Sequence, residues 1–328
     1  MSYYIDPWLY NCTANPADSP AQQREQRTVI AATQRALAYA RDKGVTVVSA
    51  EGNGHTDLGD PKVDDSSPDY PVVPGDPNLT PSEAHHRVID NSCLSMPTEG
   101  DGVIGVTSVG PSARKAYYSD YGLEQADVSA PGGDAFDTGT GLTRPANEIL
   151  APYPAALAEA ALAADPQNPG IVESDGAYYQ WLQGTSMASP HAAGVAALIV
   201  SEYGRRDRRA GGLTLDPATT DRILRASATD MACPEPRLQR YDLNGDGKID
   251  DSAPLASRQE TQYDATCAGS ADRNGFYGDG IVNALAAVSQ GHGHGHGGRG
   301  HGDDHHGHGH GHGHGDDHGG RGDGDGRR

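Results

Sequence analysis

The stretch Gly184–Val200, GTSMASPHAAGVAALIV, constrains the chain more than any other. A Gly-Thr turn presents Ser186, Pro190 follows four residues later, and small and apolar residues then run without a charged side chain to Val200. Such a run reads as a helix that is apolar on all sides, which predicts burial in a core rather than placement on a surface. A serine at the entry of that helix stands where the free N–H groups of the first turn and the positive end of the helix dipole stabilise a forming anion. Acyl transfer needs that arrangement; the plainer reading of the same residues is a capping serine on a core helix. His191 lies five residues beyond Ser186, too far round the helix to take the hydroxyl proton, and reads as a packed residue.

The rest of the chain follows the grammar of an α/β protein. From about Gln22 to Lys43 the pattern is helical, with Val29, Ile30, Ala32, Thr33, Ala36, Leu37 and Ala40 on one face and Gly44 as the stop. Val45–Ala50 is a β-branched run, and Glu51-Gly52-Asn53-Gly54 turns out of it. A helix, a glycine stop and a buried strand in that order indicate a parallel sheet. Gly102–Val109 is the next strand, and turns with a short strand fill Tyr118–Gly133. Between them, His55–Met96 reads as loop, and the adjacent His85 and His86 receive no chemistry. Short helices are predicted near Ala155–Ala164, over Asp216–Ala228 with Thr219, Ile223 and Leu224 facing inward, and within Gly278–Val288.

Gly-Thr-Ser-Met-Ala-Ser-Pro-His, followed by Ala-Ala-Gly-Val-Ala-Ala-Leu, resembles the nucleophile-serine motif of the subtilisin-like serine proteases. The strand and turn ending at Asn53, and the order of parts between it and Ser186, are similar to that family as well. The resemblance implies a three-layer α/β subtilisin-like fold with a mainly parallel sheet over residues 1–290, N-terminally truncated. It implies a serine endopeptidase that forms an acyl-enzyme on Ser186, with an oxyanion held by the Asn53 side-chain amide and the Ser186 N–H. On the residues alone a turn asparagine is the commoner explanation of Asn53, and its position between a strand and the Ser186 motif is what favours the oxyanion role. Met1-Ser2 would end a central strand, with Ser2, Tyr3 and Tyr4 forming a cleft wall that pairs with an extended polypeptide substrate, and with Gly52, Gly184 and Thr185 beside it. Glu51 departs from the small residue common in that turn.

The same family places its catalytic aspartate and histidine before the Met-Ser strand end, the latter in a His-Gly-Thr-His motif that does not occur here. Outside the C-terminal tail the only histidines are His55, His85, His86 and His191. Asp137-Thr138-Gly139 has the letters of the aspartate motif, but it sits in a Gly- and Thr-containing loop with no β-branched run before it and reads as a turn. A serine hydroxyl needs a base oriented by a third group, so the chain as written is expected to be inactive. It is further expected to leave an unpaired sheet edge, to be poorly soluble or partly unfolded alone, and to be monomeric when complete. Two other readings stand beside the peptidase: a non-catalytic relative that binds extended peptides, and a secreted metal-binding protein that acts through its tail.

The net charge of −20 argues against a nucleic-acid partner. No apolar run approaches a membrane span, and no signal peptide follows Met1, so export to an extracellular location is expected to be encoded elsewhere. Cys12, Cys93, Cys233 and Cys267 allow three pairings; Cys12–Cys93 with Cys233–Cys267 is favoured, because each bond would tie a loop-rich segment, and four free thiols are the alternative. Asp242, Asn244 and Asp246, with Gly247, fit the first half of an EF-hand loop, but Ala253 stands where the bidentate acid belongs. The site is a candidate for structural Ca²⁺ or a solvated turn. Residues 291–328 hold 17 Gly, 11 His, 6 Asp and 4 Arg and nothing else. Such a tract has no apolar surface to bury and is expected to be disordered, with imidazoles able to take up Zn²⁺ or Ni²⁺.

Overall fold

Helix α1 (Pro20–Asp42) opens on a capping box, in which Ser19 Oγ accepts from the Gln22 N–H and the Gln22 side chain accepts from the Ser19 N–H. It stops at Gly44, whose φ of +83° and N–H bond to the Arg41 carbonyl close the last turn. The structure is a computed structural model that describes residues 1–60, 62–70, 83–137, 143–208, 211–242 and 263–289. After α1 come β1 (Val47–Ala50), β2 (Lys62–Asp64), β3 (Arg87–Ile89), β4 (Val103–Val109), β5 (Val128–Pro131), β6 (Ile149–Pro152), α2 (Ala155–Ala164), β7 (Ile171–Ser174) and β8 (Ala177–Leu182). The serine helix α3 (Thr185–Tyr203) follows, then β9 (Arg205–Asp207), β10 (Gly212–Thr214), α4 (Pro217–Ala226), β11 (Leu238–Gln239), β12 (Ala265–Thr266) and α5 (Ala284–Ser289).

The sheet that positions the site has the order β1-β4-β5 and is parallel throughout, with Val48 opposite Ile104 and Val106 opposite Val128. β4 is buried along its whole length, as a strand covered on both faces must be. On one face Val48, Ile104, Val106 and Val128 pack against Ala188, Ala192, Val195 and Ile199 of α3. Val47 and Val103 pack with Leu37 of α1 and with Met96. Helix, sheet and helix therefore form the three layers expected. β1 is the sheet edge, and outside it, among the described residues, Met1 alone pairs: its ammonium donates to the Val48 carbonyl, and its own carbonyl accepts from the Ala50 N–H at 2.9 Å.

Four expectations need correction. α3 is not covered on every side: Ala193, Gly194 and Leu198 are exposed, Leu198 at 47%. Uniform apolarity in sequence marks a helix able to be buried all round, whereas the sheet, α4 and α5 cover only part of this one. His191 likewise is exposed rather than packed, its Nδ1 lying 2.8 Å from the Met187 carbonyl one turn back. The stretch His55–Met96 contains the antiparallel pair β2–β3 as well as loop, and on α4 the buried residues are Thr220 and Leu224 rather than Thr219. A separate antiparallel sheet, β6-β8-β7, precedes the serine turn.

Both favoured disulfides, Cys12–Cys93 and Cys233–Cys267, are formed. Beside the first lies a buried charge web. Arg87 Nη1 donates to Asp64 at 2.8 Å, and Nη2 donates to the Gln26 side chain at 2.8 Å and the Tyr10 carbonyl at 3.1 Å. Its Nε forms an ion pair with Asp18 at 3.0 Å, at an angle too poor for a hydrogen bond.

Candidate active site

Gly184 starts α3 without any side chain to cap it, so the first-turn N–H groups need partners from elsewhere. Asn53 supplies one: its Oδ1 accepts from the Thr185 N–H and the Thr185 hydroxyl, both at 2.9 Å. The Thr185 hydroxyl in turn accepts from the Gly52 N–H at 3.2 Å, so strand end and helix start are laced together. With Oδ1 held by two donors, the amide orientation is fixed by its network, and Nδ2 is turned the other way. The position that a Cβ on Gly184 would occupy lies 3.6 Å from both Asn53 Nδ2 and the Ser186 nitrogen. Asn53 Oδ1 lies 3.7 Å from the same position, so the whole Asn53 amide stands beside the backbone nitrogen of Ser186. Among the described residues neither Asn53 Nδ2 nor the Ser186 N–H has a hydrogen-bond acceptor. A side chain at residue 184, where φ is +153°, would occupy that position.

Pro190 explains the role of Ser2. A proline inside a helix removes the N–H that would reach the carbonyl four residues back, which here is the Ser186 carbonyl. Ser2 Oγ donates to that carbonyl at 3.2 Å and meets Ser189 Oγ at 3.3 Å, and Ser189 donates to the Met1 carbonyl at 3.3 Å. The start of the chain is thus pinned to the serine turn. Ser2, Tyr3, Tyr4, Gly52, Asn53, Thr185 and Ser186, all expected at the site, line one cleft of about 1010 Å³, while Gly184 is buried beneath it. Tyr3 and Tyr4 are exposed on its wall, and Tyr3 also borders an apolar groove of about 510 Å³ between β1 and α1.

Sequence reading missed the carboxyl groups of this cleft. Glu51, which departs from the small residue common in that turn and is expected to alter substrate preference nearby, lines the cleft, is 1% exposed, and has no hydrogen-bond partner on either oxygen among the described residues. Burial first, then the neighbouring Glu99, Asp127 and Asp120, pushes its carboxyl well above the usual range. Asp120 also lines the cleft; burial raises it to about 6 against the pull of the Thr56 N–H, which it accepts at 2.7 Å, and of Lys115. A Cβ on Gly52 would lie 2.1 Å from Asp120 Oδ2, so only glycine lets this carboxylate approach the turn that carries Asn53. The signal available in sequence was Gly52 and Gly54 themselves, but their partner lies some 66 residues away. Lys115, fully buried under the Tyr121 and Phe276 rings, is pushed down by burial to about 7.

No histidine lines the cleft among the described residues. His55 packs edge-on against Tyr263, His85 meets Asp18 at 3.0 Å, and His86 meets Asp65 at 2.9 Å. Asp137 sits in a loop and accepts from the Ser112 N–H and hydroxyl, in keeping with a turn. Among the described residues no three His, Cys, Asp or Glu side chains converge to hold a metal. Of the expected Ca²⁺ ligands, Asp242 is described, while Asn244 and Asp246 lie outside the described residues, as does the whole tail from residue 291. No helix among the described residues is long and apolar enough to cross a membrane.

A model of the subtilase family matches residues 11–261. No curated protein matches the chain. Similar solved structures include a lanthipeptide protease (22% identity, TM-score 0.48), covering 85% of this chain and 58% of that one. A protease from Pseudoalteromonas arctica PAMC 21717 (26%, TM-score 0.40) covers 78% and 45%. The epidermin leader peptide processing serine protease EpiP from Staphylococcus aureus (17%, TM-score 0.43) covers 88% and 50%. The chain therefore spans about half the length of these structures.

Proposed function

The chain belongs to the subtilase family, and we propose that it carries the nucleophile and oxyanion donors of a serine-type endopeptidase acting on extended polypeptides. The observation that supports this reading is that the Asn53 side-chain amide stands beside the Ser186 backbone nitrogen, with both residues lining one cleft. Ser186 Oγ attacks the scissile carbonyl carbon, and the carbonyl oxygen takes up negative charge beside those two donors. Collapse of the tetrahedral adduct expels the amine and leaves an ester on Ser186, which water hydrolyses. Thr185 acts as a positioning residue, because it holds the Asn53 oxygen and so aims the nitrogen. Ser2, Tyr3 and Tyr4 form the wall along which the substrate backbone lies.

Among the described residues no histidine lines the cleft, and base and orienting acid are proposed to be supplied by polypeptide outside residues 1–328. The open edge of β1, the apolar groove beside it and the exposed face of α3 offer that polypeptide a continuous surface. The two disulfides support the proposal of an oxidising, extracellular setting. Translation of the reading frame upstream of Met1 tests the assignment: an Asp-Thr-Gly and a His-Gly-Thr-His support the peptidase, and an in-frame stop leaves a peptide-binding relative. In the extended product, Asn53→Ala is expected to lower kcat by about 10²–10³ with KM little changed, the magnitude known for this donor in a subtilisin. Unchanged kcat would overturn the assignment.

A further inference from the structure

The cleft beside Ser186 has a charge imbalance that the peptidase reading does not use. Its lining carries the carboxyl groups of Asp6, Glu51, Asp64, Asp65 and Asp120 against a single ammonium, Lys62. Two of the five are already matched: Asp64 is tied to Arg87 at 2.8 Å and Asp65 to His86 at 2.9 Å. Lys62 is directed at backbone, donating to the Leu58 carbonyl at 3.1 Å with its ammonium 4.6 Å from the centre of the Tyr10 ring. Asp6, Glu51 and Asp120 have no ion-pair partner among the described residues.

Glu51 adds an independent observation, since it is a buried acid in this lining with two oxygens that no donor reaches. Leaving such a group unpaired is costly, and a pocket meant for an apolar side chain would be lined with carbon instead. Asp120 lies against the same turn, its carboxylate touching the backbone at Gly52 immediately before Asn53. Asp120 therefore borders the turn that carries Asn53, while Glu51 Oε2 faces β4, 2.5 Å from the position a Cβ on Gly105 would occupy. An ammonium or guanidinium group entering there gains a charge-assisted hydrogen bond to Asp120, adding to the pull that Lys115 and Lys62 exert on that carboxylate. A cleft of about 1010 Å³ leaves room for a side chain of that length.

Resting on the peptidase reading, we infer that this cleft selects substrates with a lysine or arginine beside the scissile bond, its cationic end held by Asp120 with Glu51 behind it. The test measures fluorescence anisotropy of the 328-residue chain with three labelled peptides on a Ser-Ala-Gly host, identical except for a central lysine, norleucine or glutamate. The lysine peptide is expected to bind about tenfold or more tightly than the norleucine peptide, with the glutamate peptide weakest. Asp120→Asn, which keeps an acceptor for the Thr56 N–H, should reduce that preference to within about twofold. Glu51→Gln should do the same and carries the test should Asp120→Asn fail to fold by circular dichroism. Norleucine binding as tightly as lysine overturns this inference and leaves the peptidase reading intact. Failure of all three peptides to bind at millimolar concentration overturns the reading of the cleft, and this inference with it.

Discussion

Two buried clusters of charge lie within this chain, and they are built in opposite ways. Around Arg87 the guanidinium meets two carboxylates, an amide and a carbonyl, next to the Cys12–Cys93 bond. Under the cleft, among the described residues, Glu51 has no hydrogen-bond partner, Asp120 accepts from the Thr56 N–H at 2.7 Å but meets cations only at a distance, and Lys115 donates to the Ala116 carbonyl at 3.1 Å. Paired charges in a low-dielectric interior fix geometry, because removing either side strands the other. Unpaired ones destabilise the fold and are retained where a ligand or a reaction has use for them. The first cluster anchors the loops of β2 and β3, whereas the second surrounds the turn that presents Asn53.

The contrast can be broken most severely at Arg87. Arg87→Ala leaves Asp18 and Asp64 buried without a cation and is expected to cost about 3–5 kcal/mol in urea unfolding; a loss under about 1 kcal/mol would show that the web is ornamental. The second cluster should respond with the opposite sign. Lys115 is held near 7 in the folded state against 10.5 unfolded, so the unfolded chain binds more protons between those values and wild-type stability rises with pH through that window. Lys115→Met removes this dependence: it should exceed wild type by about 2–4 kcal/mol at neutral pH, with the gap narrowing towards pH 10. A gap that is flat with pH would contradict the assignment of that titration to Lys115.

A smaller effect sharpens the comparison at Glu51. Its folded carboxyl is raised above 4.5, so its contribution to stability is fully present below that pH and is lost as pH rises through the folded value. Glu51→Gln does not titrate and should gain about 1–3 kcal/mol on wild type as pH increases, read from paired thermal melts. The variant falling behind wild type with rising pH would mean that Glu51 has an unseen cationic partner. The smallest expected effect on stability is at Thr185. Thr185→Val removes one of two donors to Asn53 Oδ1, costing about 1 kcal/mol while lowering kcat in an active form more than it raises KM.

What the sequence revealed was local. Ser186 and Asn53 sit in glycine-flanked turns whose backbone demands are written in neighbouring residues, and both line one cleft. The α1 cap, the Gly44 stop and the β4 core strand were legible for the same reason. Residues that act across the chain were not. Ser2 finds the carbonyl freed by Pro190, Asp120 reaches the Gly52 turn, and Arg87 gathers partners from three segments, and none of these follows from a period or a spacing. The exposure of α3 was hidden because an apolar helix looks alike whether or not its neighbours are present.

On the proposed reading, Ser186 is a nucleophile beside its oxyanion donors that awaits a base and an orienting acid. Treatment with a fluorophosphonate, read by intact mass and peptide mapping, tests it directly. The 328-residue chain should remain unmodified, while the product extended through its upstream frame should gain one adduct, on Ser186, that Ser186→Ala abolishes. An adduct on any other serine of the extended product, or stoichiometric labelling of the 328-residue chain alone, would contradict the account.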